Sequence, residues 1–119
     1  MEIYMQQKLS VSISSITGQV LSEIRKLKKI NQITVADKLG ISVSGLSKIE
    51  TGATSLSLEQ LFLFSEIYDL SEEEIIKKIK ETISKIEKAG IAVSNSKLDK
   101  KKDESSHPSK SIWWVTLIE

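Results

Sequence analysis

Residues 32–52 read QITVADKLGISVSGLSKIETG. Asn31, just ahead of them, is a good helix N-cap, and Val35, Ala36 and Leu39 follow at helical spacing as one apolar stripe. Gly40 then supplies the left-handed backbone of a helix C-cap, and Ile41 can turn inward to fill the corner. Ser42 caps a second helix in which Leu46 and Ile49 face the core, leaving Val43, Ser44, Ser47 and Lys48 on the outer face. Small side chains at Ala36 and Gly45 are expected to let the two helices approach closely, and Thr51 with Gly52 closes the unit. Two short helices joined by a tight turn form a helix-turn-helix, which makes double-stranded DNA the first partner to consider.

At these residues the chain resembles the Cro/C1, or xenobiotic-response-element, family of prokaryotic helix-turn-helix repressors; VADKLG followed by SGL is especially similar to a phage-lambda-type repressor. The similarity spans roughly residues 18–70, with LSEIR at 21–25 like the family's first helix, Gln32 like the glutamine opening its second, and Glu50 with Gly52 like the close of its third. The resemblance implies an all-α, five-helix, lambda-repressor-like domain whose third helix lies in the major groove. It implies base reading by Val43, Ser44, Ser47 and Lys48, and phosphate contacts from Gln32, Ser42 and the backbone at Thr51. It also implies a partly buried ion pair between Arg25 and Glu50. The chain departs from the family in its shortage of Gln, Asn and Arg at the reading positions. Lys48 can read guanine and Val43 a thymine methyl, whereas Ser44 and Ser47 discriminate weakly and leave part of the specificity to water or DNA shape.

Outward from this unit, residues 8–14 alternate strictly, Leu9, Val11 and Ile13 against three serines, which predicts a strand in an N-terminal arm over residues 1–15. A first helix is expected from about Ile16 to Lys29 on the apolar set Ile16, Val20, Leu21, Ile24 and Leu27. Ser57 with Gln60 forms a capping box for a fourth helix, whose Leu58, Leu61, Phe62, Phe64, Ile67 and Tyr68 are expected to close the core of a domain over residues 16–70. Ser71 with Glu74 is a second capping box, opening an amphipathic helix within residues 71–93. Its isoleucines 76, 79, 83 and 86 repeat with 3-4-3 spacing, which fits either a short coiled-coil seam for self-association or a helix packed on its own domain.

Residues 94–111 are polar, charged and proline-bearing, and read as a flexible linker. The tail beyond it, residues 112–119, is apolar and holds Trp113 and Trp114; such a segment needs a surface to dock on, as a strand or otherwise. Its own domain, a partner subunit beside the arm, or a second protein such as a cognate toxin are the candidates.

Composition bounds the function. The net charge is only +1, but residues 17–52 hold Arg25, Lys26, Lys28, Lys29, Lys38 and Lys48 against three acidic residues, a local excess suited to phosphates. The Lys26, Lys28 and Lys29 group is equally well read as a solvated helix end that complements the helix dipole. There is no cysteine, and the single histidine, His107, falls in the linker, so neither a metal site nor a Ser-His-acid set is expected, and no cofactor. The first ten residues lack the features of a signal peptide and no apolar run approaches membrane-span length. The expectation is therefore a cytoplasmic, non-enzymatic protein, nucleoid-associated when on DNA. It acts either as a dimeric repressor reading palindromic half-sites or as an antitoxin or adaptor that binds a partner protein through its tail.

Overall fold

The computed structural model describes residues 9–95. Five helices follow a short strand: β1 (Ser10–Ser12), α1 (Ile13–Leu27), α2 (Gln32–Leu39), α3 (Val43–Thr51), α4 (Leu58–Tyr68), α5 (Glu72–Lys88), and a closing strand β2 (Ala92–Ser94). The predicted all-α domain is present. The linker over residues 96–111, including His107, and the tail with Trp113 and Trp114 lie outside the described residues, as do the first eight residues of the arm.

Every helix starts and stops by the same chemistry. Ser12, Asn31, Ser42, Ser57 and Ser71 stand at the N-caps, each with a side-chain oxygen accepting the backbone N–H three residues on. Both predicted capping boxes form, Ser57 with Gln60 and Ser71 with Glu74. At the other end the chain turns through a left-handed residue, Lys29, Gly40, Gly52, Asp69 or Gly90 in the five helices respectively. The following N–H, of Ile30, Ile41, Ala53, Leu70 or Ile91, reaches back to a carbonyl in the last turn.

The core gathers Ile16, Val20, Leu21 and Ile24 of α1, Val35, Ala36 and Leu39 of α2, Leu46 and Ile49 of α3, Leu61, Phe64 and Tyr68 of α4 and Ile75 of α5. Three expectations for it need correction. Leu27 is 78 % exposed, because the left-handed turn at Lys29 brings Ile30 against the core in its place. In α4, Leu58 and Phe62 are exposed, while Leu61, Phe64 and Tyr68 are buried and Ile67 packs against the core beside them. On α5 the core-facing stripe is the buried Ile75 with the half-buried Ile79, Ile83 and Ile86, whose 4-4-3 spacing suits a helix lying on its own domain. Ile76, the first member of the supposed seam, is 39 % exposed. The Ile79, Ile83 and Ile86 positions are thus spent within the chain, where α5 packs on α1.

The arm is also shorter than its alternation suggests. Ser12 caps α1, so Ile13 belongs to the helix and the strand keeps three residues. Their partner is β2, of which Ala92 and Val93 fall in the expected amphipathic segment and Ser94 in the expected linker. Gly90 turns the chain out of the helix at φ 88°, and β2 runs parallel to β1 with Ser10 opposite Ala92 and Ser12 opposite Ser94. Val11 and Val93, paired in this register, both pack on the core.

Helices α1 and α3 approach backbone to backbone. A Cβ built on Gly18 would collide with the backbone carbonyl of Ile49 and sit 2.6 Å from that of Glu50, and one on Gly52 would sit 2.5 Å from the Ser15 Cα. Gly45, expected with Ala36 to ease the approach of α2 to α3, faces side-chain atoms of Ser42 and Ile41 at 3.3 Å or more, whereas the α1–α3 crossing requires the glycine at 18. Gly18→Ala should therefore destabilise by about 3 kcal/mol, since one methyl must push two helix backbones apart. Urea unfolding checks this, and an unchanged midpoint would show that α1 and α3 can separate freely.

Candidate nucleic-acid interface

The outer face of α3 takes shape from what its inner face must bury. Leu46 and Ile49 are in the core, which turns Val43, Ser44 and Lys48 to solvent and leaves Ser47 half-buried beside them. Val43 is 40 % exposed, an apolar side chain held on the surface at the first position of the helix. Ser42 Oγ accepts the Gly45 N–H at 2.9 Å; its hydroxyl proton remains available to an acceptor outside the helix. Thr51 is exposed at the last turn, its hydroxyl donating to the Lys48 carbonyl at 3.3 Å.

The orientation of this face is fixed from behind by a charged cluster. Arg25 Nε donates to Glu50 Oε2 at 2.7 Å and Nη2 to Oε1 at 3.1 Å, a bidentate pair joining α1 to the end of α3. Both residues are only 9 % exposed. The third guanidinium nitrogen, Nη1, donates to the Ile30 carbonyl at 3.1 Å, so the same side chain holds the turn that leads into α2. Gln32 Nε2 completes the cluster by donating to Glu50 Oε1 at 2.9 Å. The resemblance implies a phosphate contact for Gln32; in the fold one of its amide protons also ties the start of α2 to the end of α3.

The hydrogen bonds that Arg25 donates to Glu50 raise the guanidinium pKa above its ordinary range, with burial opposing and the Glu50 charge assisting. Tyr68 lies fully buried within electrostatic reach of both. Its hydroxyl has no hydrogen-bond partner among the described residues. Burial foremost, and then the Glu50 charge, raises its pKa well above the ordinary 10.0. Beside the cluster, a shallow cleft of about 390 Å³ between α1 and the end of α3 is lined by Ser15, Gln19, Ser22, Glu23, Lys26, Glu50 and Thr51. Its one lysine is outnumbered by two carboxylates, so it offers no net positive charge to an anion. No group of three or more metal-ligating side chains occurs among the described residues, and no helix there is long and apolar enough to cross a membrane.

Residues 21–75 match the family model described as helix-turn-helix, a span that runs from within α1 to the first turn of α5. This segment is similar to the helix-turn-helix family, in keeping with the Cro/C1 resemblance of its motifs. Solved structures share its fold. One is the clp gene regulator ClgR from Corynebacterium glutamicum, with 20% identity over 60% of this chain and 92% of that one at a TM-score of 0.57. Another is the wild-type restriction-modification controller protein C.Esp1396I, with 23% identity over 61% and 95% at 0.56. No curated protein matches the sequence.

Two stability predictions follow from the cluster. Arg25→Met should cost about 3 kcal/mol because it strands the Glu50 carboxylate in a nearly dry site, and adding Glu50→Leu should restore much of that loss. A denaturant midpoint equal to wild type for Arg25→Met would exclude a stabilising pair. Tyr68→Phe removes an unsatisfied buried hydroxyl, so its stability at neutral pH should equal or exceed wild type by up to about 1 kcal/mol. The raised folded pKa stabilises the neutral phenol, a contribution complete below pH 10 and lost at higher pH, where Tyr68 must ionise on unfolding. Stability of the wild type should thus fall above pH 10 more steeply than that of Tyr68→Phe, as thermal melts across that range will read.

Proposed function

We propose that this protein is a sequence-specific DNA-binding transcriptional regulator, a repressor that occupies palindromic half-sites with two copies. The observation that carries the reading is the outward face of α3, where Val43, Ser44 and Lys48 are exposed side by side on a helix locked from behind by Arg25, Glu50 and Gln32. A helix so held can enter the major groove without losing order on binding. Lys48 reads guanine, Val43 packs on a thymine methyl, and Ser44 and Ser47 make the permissive contacts of hydroxyls. Gln32, with its second amide proton, Ser42 and the backbone at Thr51 hold phosphates that set the register. Exposed lysines 26, 28 and 29 at the end of α1 add to the positive field around the site. The regulators that share the fold, one named for clp genes and one for a restriction-modification system, fit this class. One recognition helix of nine residues covers only a few base pairs, which is why two copies about 34 Å apart are needed.

Binding-site selection followed by titration on the selected duplex tests the proposal. A palindromic motif bound by two copies per duplex is the expected result. Lys48→Ala should lower information at one or two positions of the motif, while Gln32→Ala weakens binding to all duplexes by similar factors. An unchanged motif for Lys48→Ala would remove α3 as the reading helix, and saturation at one copy per duplex would remove the half-site arrangement.

A further inference from the structure

Helix α4 is apolar on two faces, and the folded domain uses one of them. Leu61, Phe64 and Tyr68 are buried, while Leu58, Phe62 and Leu63 on the other side are 66 %, 50 % and 37 % exposed. Leu58 and Phe62 stand one turn apart, so their side chains adjoin, and Leu63 extends the patch. A helix apolar all round normally has both sides covered. The flanking charge is of one sign: between residues 58 and 69 the chain has Glu59, Glu66 and Asp69 and neither lysine nor arginine.

We infer that the outer face of α4 is the docking surface for the chain's own C-terminal segment, residues 112–118, with Trp113 and Trp114 as the anchors. Size is the first argument. Three partly exposed side chains make a patch of a few hundred Å², well below the ~800 Å² per partner of a stable dimer but matched to two indoles, which bury ~150–250 Å² each. Charge is the second. In a symmetric contact between two copies both sides would bring the same acidic rim and no base, a like-charge arrangement that costs affinity. The segment leading to the tail instead carries Lys97, Lys100, Lys101, Lys102 and Lys110 against three acidic residues. Reach is the third. Residues 96–111 can span up to ~50 Å, more than the ~25–30 Å across a domain of this size. A tether of that length gives the tail an effective concentration near the millimolar range, far above that of a second molecule in a micromolar solution. Docking is therefore within one chain, and it is independent of whether the protein binds DNA.

Trp113 and Trp114 are the only tryptophans in the sequence, so indole fluorescence of the full-length protein reports the tail alone. The expected emission is that of shielded indoles, poorly quenched by acrylamide and unchanged from one to fifty micromolar protein. Phe62→Asp and, separately, Leu58→Asp should shift it to that of water-exposed indoles with helical circular dichroism retained, since both side chains are at the surface. Leu27→Asp, at an exposed leucine of α1, should leave it unshifted. Solvent-exposed emission in the wild type, or shielded emission that survives both α4 substitutions in folded protein, overturns the inference. Shielding that appears only as concentration rises also overturns it and assigns the surface to a second copy. DNA binding, measured in parallel, stands or falls separately on α3.

Discussion

A carboxylate at the end of the helix proposed to meet DNA is an awkward group, because it repels phosphates when exposed and is unstable when buried alone. Glu50 escapes both outcomes by accepting two hydrogen bonds from Arg25 and one from Gln32. The arrangement ties three elements at one point, since Arg25 sits on α1, Gln32 opens α2 and Glu50 ends α3. It depends in turn on the close approach of α1 to α3 that a missing side chain at Gly18 allows. A buried pair of this kind adds little net stability relative to a well-packed apolar substitute, but it has directional geometry. Here that direction fixes the rotation of α3 and hence which of its side chains face outward.

Much of the fold could be read because its punctuation is chemical. Four serines and an asparagine mark the N-caps, and Gly40 and Gly52 mark two of the stops. The same turn occurs at Lys29 and Asp69, where nothing in the residue type announces a left-handed backbone. Helical periodicity alone therefore carries α1 past its true end and puts Leu27 in the core in place of Ile30. Asp69 did less harm because the strong capping box at Ser71 marks the next helix independently.

Errors on α5 and β2 have a different origin. Adjacent isoleucines at 75 and 76 offer two registers, and periodicity alone prefers the 3-4-3 series because it is regular. Packing against α1 settles the matter in favour of Ile75. The strand β2 is too short to have a pattern of its own; only its partner, more than eighty residues earlier, makes it a strand. Among the interface positions, Val43, Ser44 and Lys48 could be placed outward from spacing alone, whereas the second use of Gln32 depends on where Glu50 comes to rest. A glycine inside α1, at a cost of about 1 kcal/mol relative to alanine, was the available signal for the helix crossing at Gly18.

The parallel pairing of β1 with β2 has a mechanical consequence. The chain enters β1 at Ser10 and leaves β2 at Ser94, which lie at opposite ends of two strands running the same way. Tension applied along the chain from outside these strands loads the pair in shear, so its hydrogen bonds resist together and cannot be opened one at a time. The five helices between them bear none of that load until the pair gives way. A segment of three residues at each end thus acts as a latch, and strain on the flanking chain reaches the helix-turn-helix only after the latch has slipped.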